Sequence, residues 1–116
     1  MSSILIIDDE DQICEILSDC FNLEGFEVTV ANDITSAKQI LNSEQFDLIV
    51  SDVRMPDGNG TEILTMIRER NIPSKVIMMS GYSSISQEEI YELGADAFFA
   101  KPFSIFDLLN KVKELL

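Results

Sequence analysis

Short runs of Ile, Val, Leu and Phe alternate along this chain with longer segments whose apolar residues recur at helical spacing. That alternation is the pattern of a parallel sheet covered by helices, and it leaves few other folds open. The runs predict strands at Ser3–Ile7, Glu27–Ala31, Asp47–Ser51, Lys75–Met79 and Ala97–Ala100. Ile4-Leu5-Ile6-Ile7, Leu48-Ile49-Val50 and Val76-Ile77-Met78-Met79 lack in/out alternation, as strands buried on both faces do, so these three belong at the centre. Ile13, Ile16, Leu17, Cys20 and Phe21 predict the buried stripe of a first helix, Ile34, Ala37, Ile40 and Leu41 that of a second, and Ile63, Leu64 and Ile67 that of a third. A last helix, with Ser104 as its expected cap, would bury Phe106, Leu109, Val112 and Leu116. Ser84–Leu93 has the weakest stripe, because Glu88 and Glu89 interrupt it, and should pack least firmly. Right-handed crossovers with helices on both faces make this (βα)5 chain an α/β, doubly wound, five-stranded parallel sheet.

A chain of 116 residues holds one such domain, residues 1–116, and no second. Its net charge of -13, from 21 acidic and 8 basic residues, opposes approach to a phosphate backbone, so no direct nucleic-acid partner is expected. The apolar run after Met1-Ser2-Ser3 has no basic flank and is too short for a signal peptide or a membrane span. The expected location is the cytoplasm, with no membrane partner. Cys14 and Cys20, six residues apart on one predicted helix, lie about 240° apart around the axis and about 9 Å apart along it. They cannot form an unstrained disulfide with each other, and without His they make a poor metal set, so both read as small packed side chains.

Ligands of doubly wound sheets bind beyond the carboxyl ends of the strands. There the first strand delivers Asp8-Asp9-Glu10, the third Asp52, the fourth Ser80-Gly81 and the fifth Lys101-Pro102. Singly, each has an ordinary explanation: Asp8, Asp9 or Asp11 as a helix cap, Ser80 as a turn residue, Lys101 as a surface lysine. Together they pose an electrostatic problem. At an effective dielectric of 20, two carboxylates about 5 Å apart repel by roughly 3 kcal/mol, and three clustered ones by on the order of 10 kcal/mol. Asp8, Asp9 and Asp52 carry three negative charges against one on Lys101, a deficit that a hard divalent cation neutralises. Mg²⁺ suits a site of one or two direct carboxylates with water and a phosphate, whereas the all-protein oxygen cage of Ca²⁺ and the His or Cys set of zinc are missing. Asp52 is then placed as a nucleophile for phosphoryl transfer.

Ile-Leu-Ile-Ile-Asp8-Asp9-Glu10, Asp47-Leu-Ile-Val-Ser-Asp52-Val-Arg-Met-Pro56, Met-Met-Ser80-Gly-Tyr82 and Phe98-Phe-Ala-Lys101-Pro102-Phe103 together resemble, in order and over essentially the whole chain, the response-regulator receiver family of bacterial two-component signalling. The resemblance implies a flavodoxin-like sheet of strand order 2-1-3-4-5 and phosphorylation of Asp52 to an aspartyl phosphate by a histidine kinase or phosphotransfer protein. It further implies that Asp9, Asp52 and the Arg54 carbonyl ligate Mg²⁺, that Asp8 acts through a metal-bound water, and that Ser80 and Lys101 hold the phosphoryl oxygens. Lys101-Pro102 would be a cis peptide. Phe98 stands where Tyr is frequent, and Asn59, where Asp is common, is expected to cap the following helix.

Two rival readings remain. A haloacid-dehalogenase-type phosphatase uses similar groups, but its nucleophile opens an Asp-x-Asp motif and its acidic pair comes last. A pseudo-receiver that only binds protein usually lacks part of the set that is complete here. A receiver is expected to catalyse nothing beyond its own phosphorylation and dephosphorylation, with Arg54 and Tyr82 setting the lifetime of the phosphorylated state. Ser80 and Phe98 would act as the switch. The fourth helix, fifth strand and fifth helix would form the surface for a downstream protein effector, a covalently linked output domain or a homodimer.

Overall fold

The computed structural model describes residues 2–81 and 85–116. Among them the elements run β1 (Ser3–Ile7), α1 (Asp11–Leu23), β2 (Glu27–Ala31), α2 (Ile34–Ser43), β3 (Leu48–Asp52), β4 (Arg54–Met55), β5 (Gly58–Asn59), α3 (Thr61–Glu69), β6 (Lys75–Ser80), α4 (Gln87–Glu92), β7 (Ala97–Ala100) and α5 (Ile105–Leu115). The main sheet is parallel in the order β2-β1-β3-β6-β7. With β6 and β7 as fourth and fifth main strands, this is the expected 2-1-3-4-5 order. β3 begins and ends one residue later than expected, and β6 continues to Ser80. The antiparallel pair β4–β5 was not expected, since two-residue strands leave no periodic signal.

Alternate residues of the central strands enter two separate cores. Leu5, Ile7, Ile49, Val76 and Met78 meet α2, α3 and Ile90 of α4 on one face. Ile4, Ile6, Leu48, Val50, Ile77 and Met79 meet α1 and α5 on the other. Ser104 caps α5 as expected, accepting from the Asp107 amide, and Asp33 and Ser86 cap α2 and α4 likewise.

Two helical stripes sit differently from expectation. In α1 the buried residues are Cys14, Leu17 and Phe21, while Ile16 is 54% exposed. In α5 they are Leu108 and Val112, while Phe106 and Leu116 are 74% and 44% exposed. Both helices carry apolar residues over a wider arc than one sheet face covers, so the sequence pattern leaves the rotation of each helix open. Cys14 and Cys20 are free thiols. Tyr82 and Ser84, named above, lie outside the described residues.

At the amino ends of β6 and β7, Arg68 of α3 donates from Nε to Gly94 O at 2.9 Å, from Nη1 to Ser74 O at 2.9 Å and from Nη2 to Asp96 Oδ2 at 2.8 Å. Asp96 Oδ2 also accepts from the Val76 amide at 2.8 Å. Gly94, at φ +107°, lets the chain turn beneath this guanidinium where a Cβ would strike the Arg68 side chain.

Candidate functional site

The Asp8 amide still donates to Ala31 O, at 3.1 Å, so the residue leaves β1 in strand geometry with its side chain aimed into the carboxyl edge. It is fully buried, and its groups are bonded. Oδ1 accepts from the Glu10 amide at 2.9 Å, while the carbonyl accepts from Asn32 Nδ2 at 3.0 Å and from the Cys14 thiol at 3.3 Å. Burial pushes the Asp8 carboxyl above its ordinary value, against the Glu10 amide and Lys101, which pull it down. Burial, with the Asp8 charge next in effect, pushes the Cys14 thiol up to about 11, which keeps it protonated and inert.

Asp52 closes β3, buried except for its edge, with Oδ1 accepting from the Arg54 amide at 3.3 Å. Lys101 leaves β7 with its amide on Ser80 O at 2.8 Å, which ties the ends of β6 and β7 together. Its Nζ donates to Asp8 Oδ2 at 2.9 Å, Glu10 Oε1 at 3.0 Å and Asp52 Oδ2 at 3.0 Å. Burial alone would lower this ammonium's pKa, but the three carboxylates outweigh it and hold the group above its ordinary value. The Lys101-Pro102 peptide is cis.

The loop after Asp52 is tied to two helices. Asp57 accepts from the Ile34 amide at 2.8 Å, and from the Thr35 amide and hydroxyl at 3.0 and 2.8 Å. Glu62 accepts from the Asn59 amide at 3.0 Å and from Lys38 Nζ at 3.2 Å. Asn59 therefore does not cap α3. Gly60 is the N-cap, with no side-chain bond, because the β4–β5 turn carries Asn59 one residue too early.

Of the residues expected to carry chemistry, Asp8, Asp52 and Lys101 are in direct contact, and Ser80 is buried at the end of β6 beside the Lys101 amide. Asp9 is exposed on the rim of a cleft of ≈ 320 Å³, which Glu10, Asp52, Arg54, Gly81 and Lys101 also line. Phe98 lies away from the cleft, half-buried against the core that contains Ile90, with its amide donating to Tyr91 Oη at 3.1 Å. The carboxylates that converge are Asp8, Glu10 and Asp52, whose ligand oxygens all lie within 4.8 Å of one another. Glu10 belongs to the acidic triplet after β1, yet the family resemblance implies no part for it. Three hard oxygen donors against one ammonium form a set that could hold a divalent metal ion.

A family model described as "Response regulator receiver domain" matches residues 4–113. The chain is 39% identical to the Transcriptional regulatory protein CpxR homolog of Haemophilus influenzae, covering 100% of this chain and 51% of that protein. It is 36% identical to Sporulation initiation phosphotransferase F of Bacillus subtilis, covering 97% of this chain and 92% of that one. The chain thus spans about half the length of the CpxR-type relatives and nearly all of the sporulation protein. Among solved structures, the response regulator TrrA of Thermotoga maritima in complex with Mg(2+)-BeF superposes with a TM-score of 0.89 at 33% identity, over 100% of both chains.

Proposed function

The chain belongs to the response regulator receiver domain family, and from that membership we propose that Asp52 accepts a phosphoryl group from a phosphohistidine of a histidine kinase or phosphotransfer protein. The observation that carries this reading is the Asp52 carboxylate itself, closing β3 with one oxygen on Lys101 and its other on the Arg54 amide. An Asp52 oxygen forms the new O–P bond as the N–P bond of the donor breaks. The electron pair stays on the imidazole nitrogen, which takes a proton from water.

Asp8, Asp9, Asp52 and the Arg54 carbonyl would hold Mg²⁺, Asp8 through water. When bound, the ion supplies positive charge to the transferring phosphoryl oxygens. Lys101 neutralises the same oxygens from the carboxyl end of β7, and the Ser80 hydroxyl donates to them. The TrrA complex with Mg(2+)-BeF supports the choice of metal. The domain catalyses no reaction beyond its own phosphorylation and hydrolysis.

Phosphorylation is read out through α4, β7 and α5 by a protein effector, a linked output domain or a second copy. That CpxR-type relatives extend well beyond the matched region supports a linked output. Among the described residues no helix is long and apolar enough to cross a membrane, and the cytoplasm is the proposed location.

Acetyl phosphate should add a single phosphoryl group, seen by intact mass, only with Mg²⁺ present. Undiminished modification of Asp52→Asn, or indifference to a chelator, would overturn the assignment.

A further inference from the structure

Glu10 has no part in the scheme above, yet its carboxylate lies 3.0 Å from Lys101 Nζ. An ammonium has three hydrogens, and Asp8, Glu10 and Asp52 take all of them. The three partners are not equivalent. The Asp8 and Asp52 side chains are 0% and 9% exposed, and each is fixed by a second bond from a backbone amide. The Glu10 side chain is 57% exposed. Although Glu10 is the N-cap residue of α1, its side chain makes no capping bond, so it serves Lys101 and not the helix. It is the one partner that can leave Lys101 without stranding a buried charge.

We propose that Glu10 is a positioning residue that holds Lys101 in the resting arrangement and yields its place on the ammonium to a phosphoryl oxygen. The inference rests on Asp52 being the phosphoacceptor. A phosphoryl group there carries roughly -1.5 to -2 at neutral pH in place of the single charge of the Asp52 carboxylate, so the site gains up to about one negative charge and three further oxygens around it. Asp8 has no solvent to move into; Glu10 has. Its withdrawal frees one Lys101 N–H for the new oxygens and relieves repulsion in the same movement. The contact therefore opposes the phosphorylated state, and its removal should favour that state.

The test compares Glu10→Ala with Asp11→Asn, which removes an equal formal charge one residue further on from a side chain that is not among the three Lys101 partners. Each is titrated with beryllofluoride at saturating Mg²⁺ and followed by NMR, and the Lys101 ammonium resonance is recorded without metal. Glu10→Ala should lower the half-saturating beryllofluoride concentration by about threefold or more, the scale of one partly exposed ion pair, and shift the metal-free Lys101 resonance. Asp11→Asn should do much less of both. Equal effects from the two variants would reduce the result to net charge and overturn the proposal, as would unchanged or weaker binding by Glu10→Ala. A Lys101 resonance indifferent to Glu10→Ala would overturn it without reference to phosphorylation. If wild type itself binds no beryllofluoride, the phosphoacceptor reading falls and takes this inference with it.

Discussion

Gly60 donates its amide to Val53 O at 2.7 Å, and a Cβ there would fall on the Asp52 carbonyl oxygen and the Ser51 hydroxyl. Both neighbours belong to the buried end of β3, so the strain of a methyl group goes into the backbone of the phosphoacceptor. Gly60→Ala is expected to lower stability by about 2 kcal/mol, read as a lower urea midpoint, and to weaken beryllofluoride binding by displacing Asp52. Asp57 invites a pH experiment. The Ile34 amide and then Thr35 hold its carboxyl below the ordinary value of 3.8, and the Asn59 amide and then Lys38 hold Glu62 below 4.5. Acids with depressed native pKa values contribute stability above their unfolded values and lose it as pH falls through the native ones. Asp57→Asn should therefore be less stable than wild type at neutral pH, by a small margin because the site is exposed, and the gap should close below about pH 4. Denaturant midpoints across that range decide it. The gathering of Asp8, Asp52, Ser80 and Lys101 was legible in the sequence because each sits at or just beyond a strand end, and parallel strands share one carboxyl edge. The bonds of Glu10 and Asp57 were not legible. Both lie where the chain has left its strand, so neither the strand nor the helix period aims their side chains.

α4 is six residues long and buries Ile90 alone among them. Its second hold on the sheet is the Tyr91 hydroxyl, which accepts the Phe98 amide of the edge strand β7. Tyr91→Phe should cost about 1 kcal/mol or less and speed exchange of the Phe98 amide, leaving the amides of α1 unaffected. Hydrogen exchange read residue by residue measures both. The weak packing of this segment was visible in the sequence through Glu88 and Glu89, which interrupt its apolar stripe. The same kind of reading misplaced Ile16 and Phe106, because a helix rich in apolar residues on two flanks has two faces to offer, and only the neighbouring elements choose between them.

At the scale of the molecule, 21 acidic residues share 8 basic ones, and one of the eight is committed to the floor of the cleft. Lys101→Ala leaves Asp8 and Asp52 buried without a counter-ion, so in chelator it should lower stability by about 3 kcal/mol. Millimolar Mg²⁺ should return much of that loss and also raise the melting temperature of the wild type, since an ion bound only by the folded state shifts the unfolding equilibrium. Calorimetry with and without chelator checks both. That the first, third and fourth main strands are central was readable because only a buried centre tolerates unbroken apolar runs, while their full order followed from the family resemblance. The β4–β5 hairpin, fixed by the long-range bonds of Asp57 to α2 and by Glu62 of α3, was not readable. The Arg68 guanidinium pins β6 and β7 at their amino ends, and the cleft lies at the opposite ends of the same strands. β6 is clamped along its length by β3, whereas β7 is the edge strand, flanked in the sheet by β6 alone, so β7 resembles a beam built in at its Arg68 end. A force of given size bends such a beam most at its far tip, and that tip leads into Lys101.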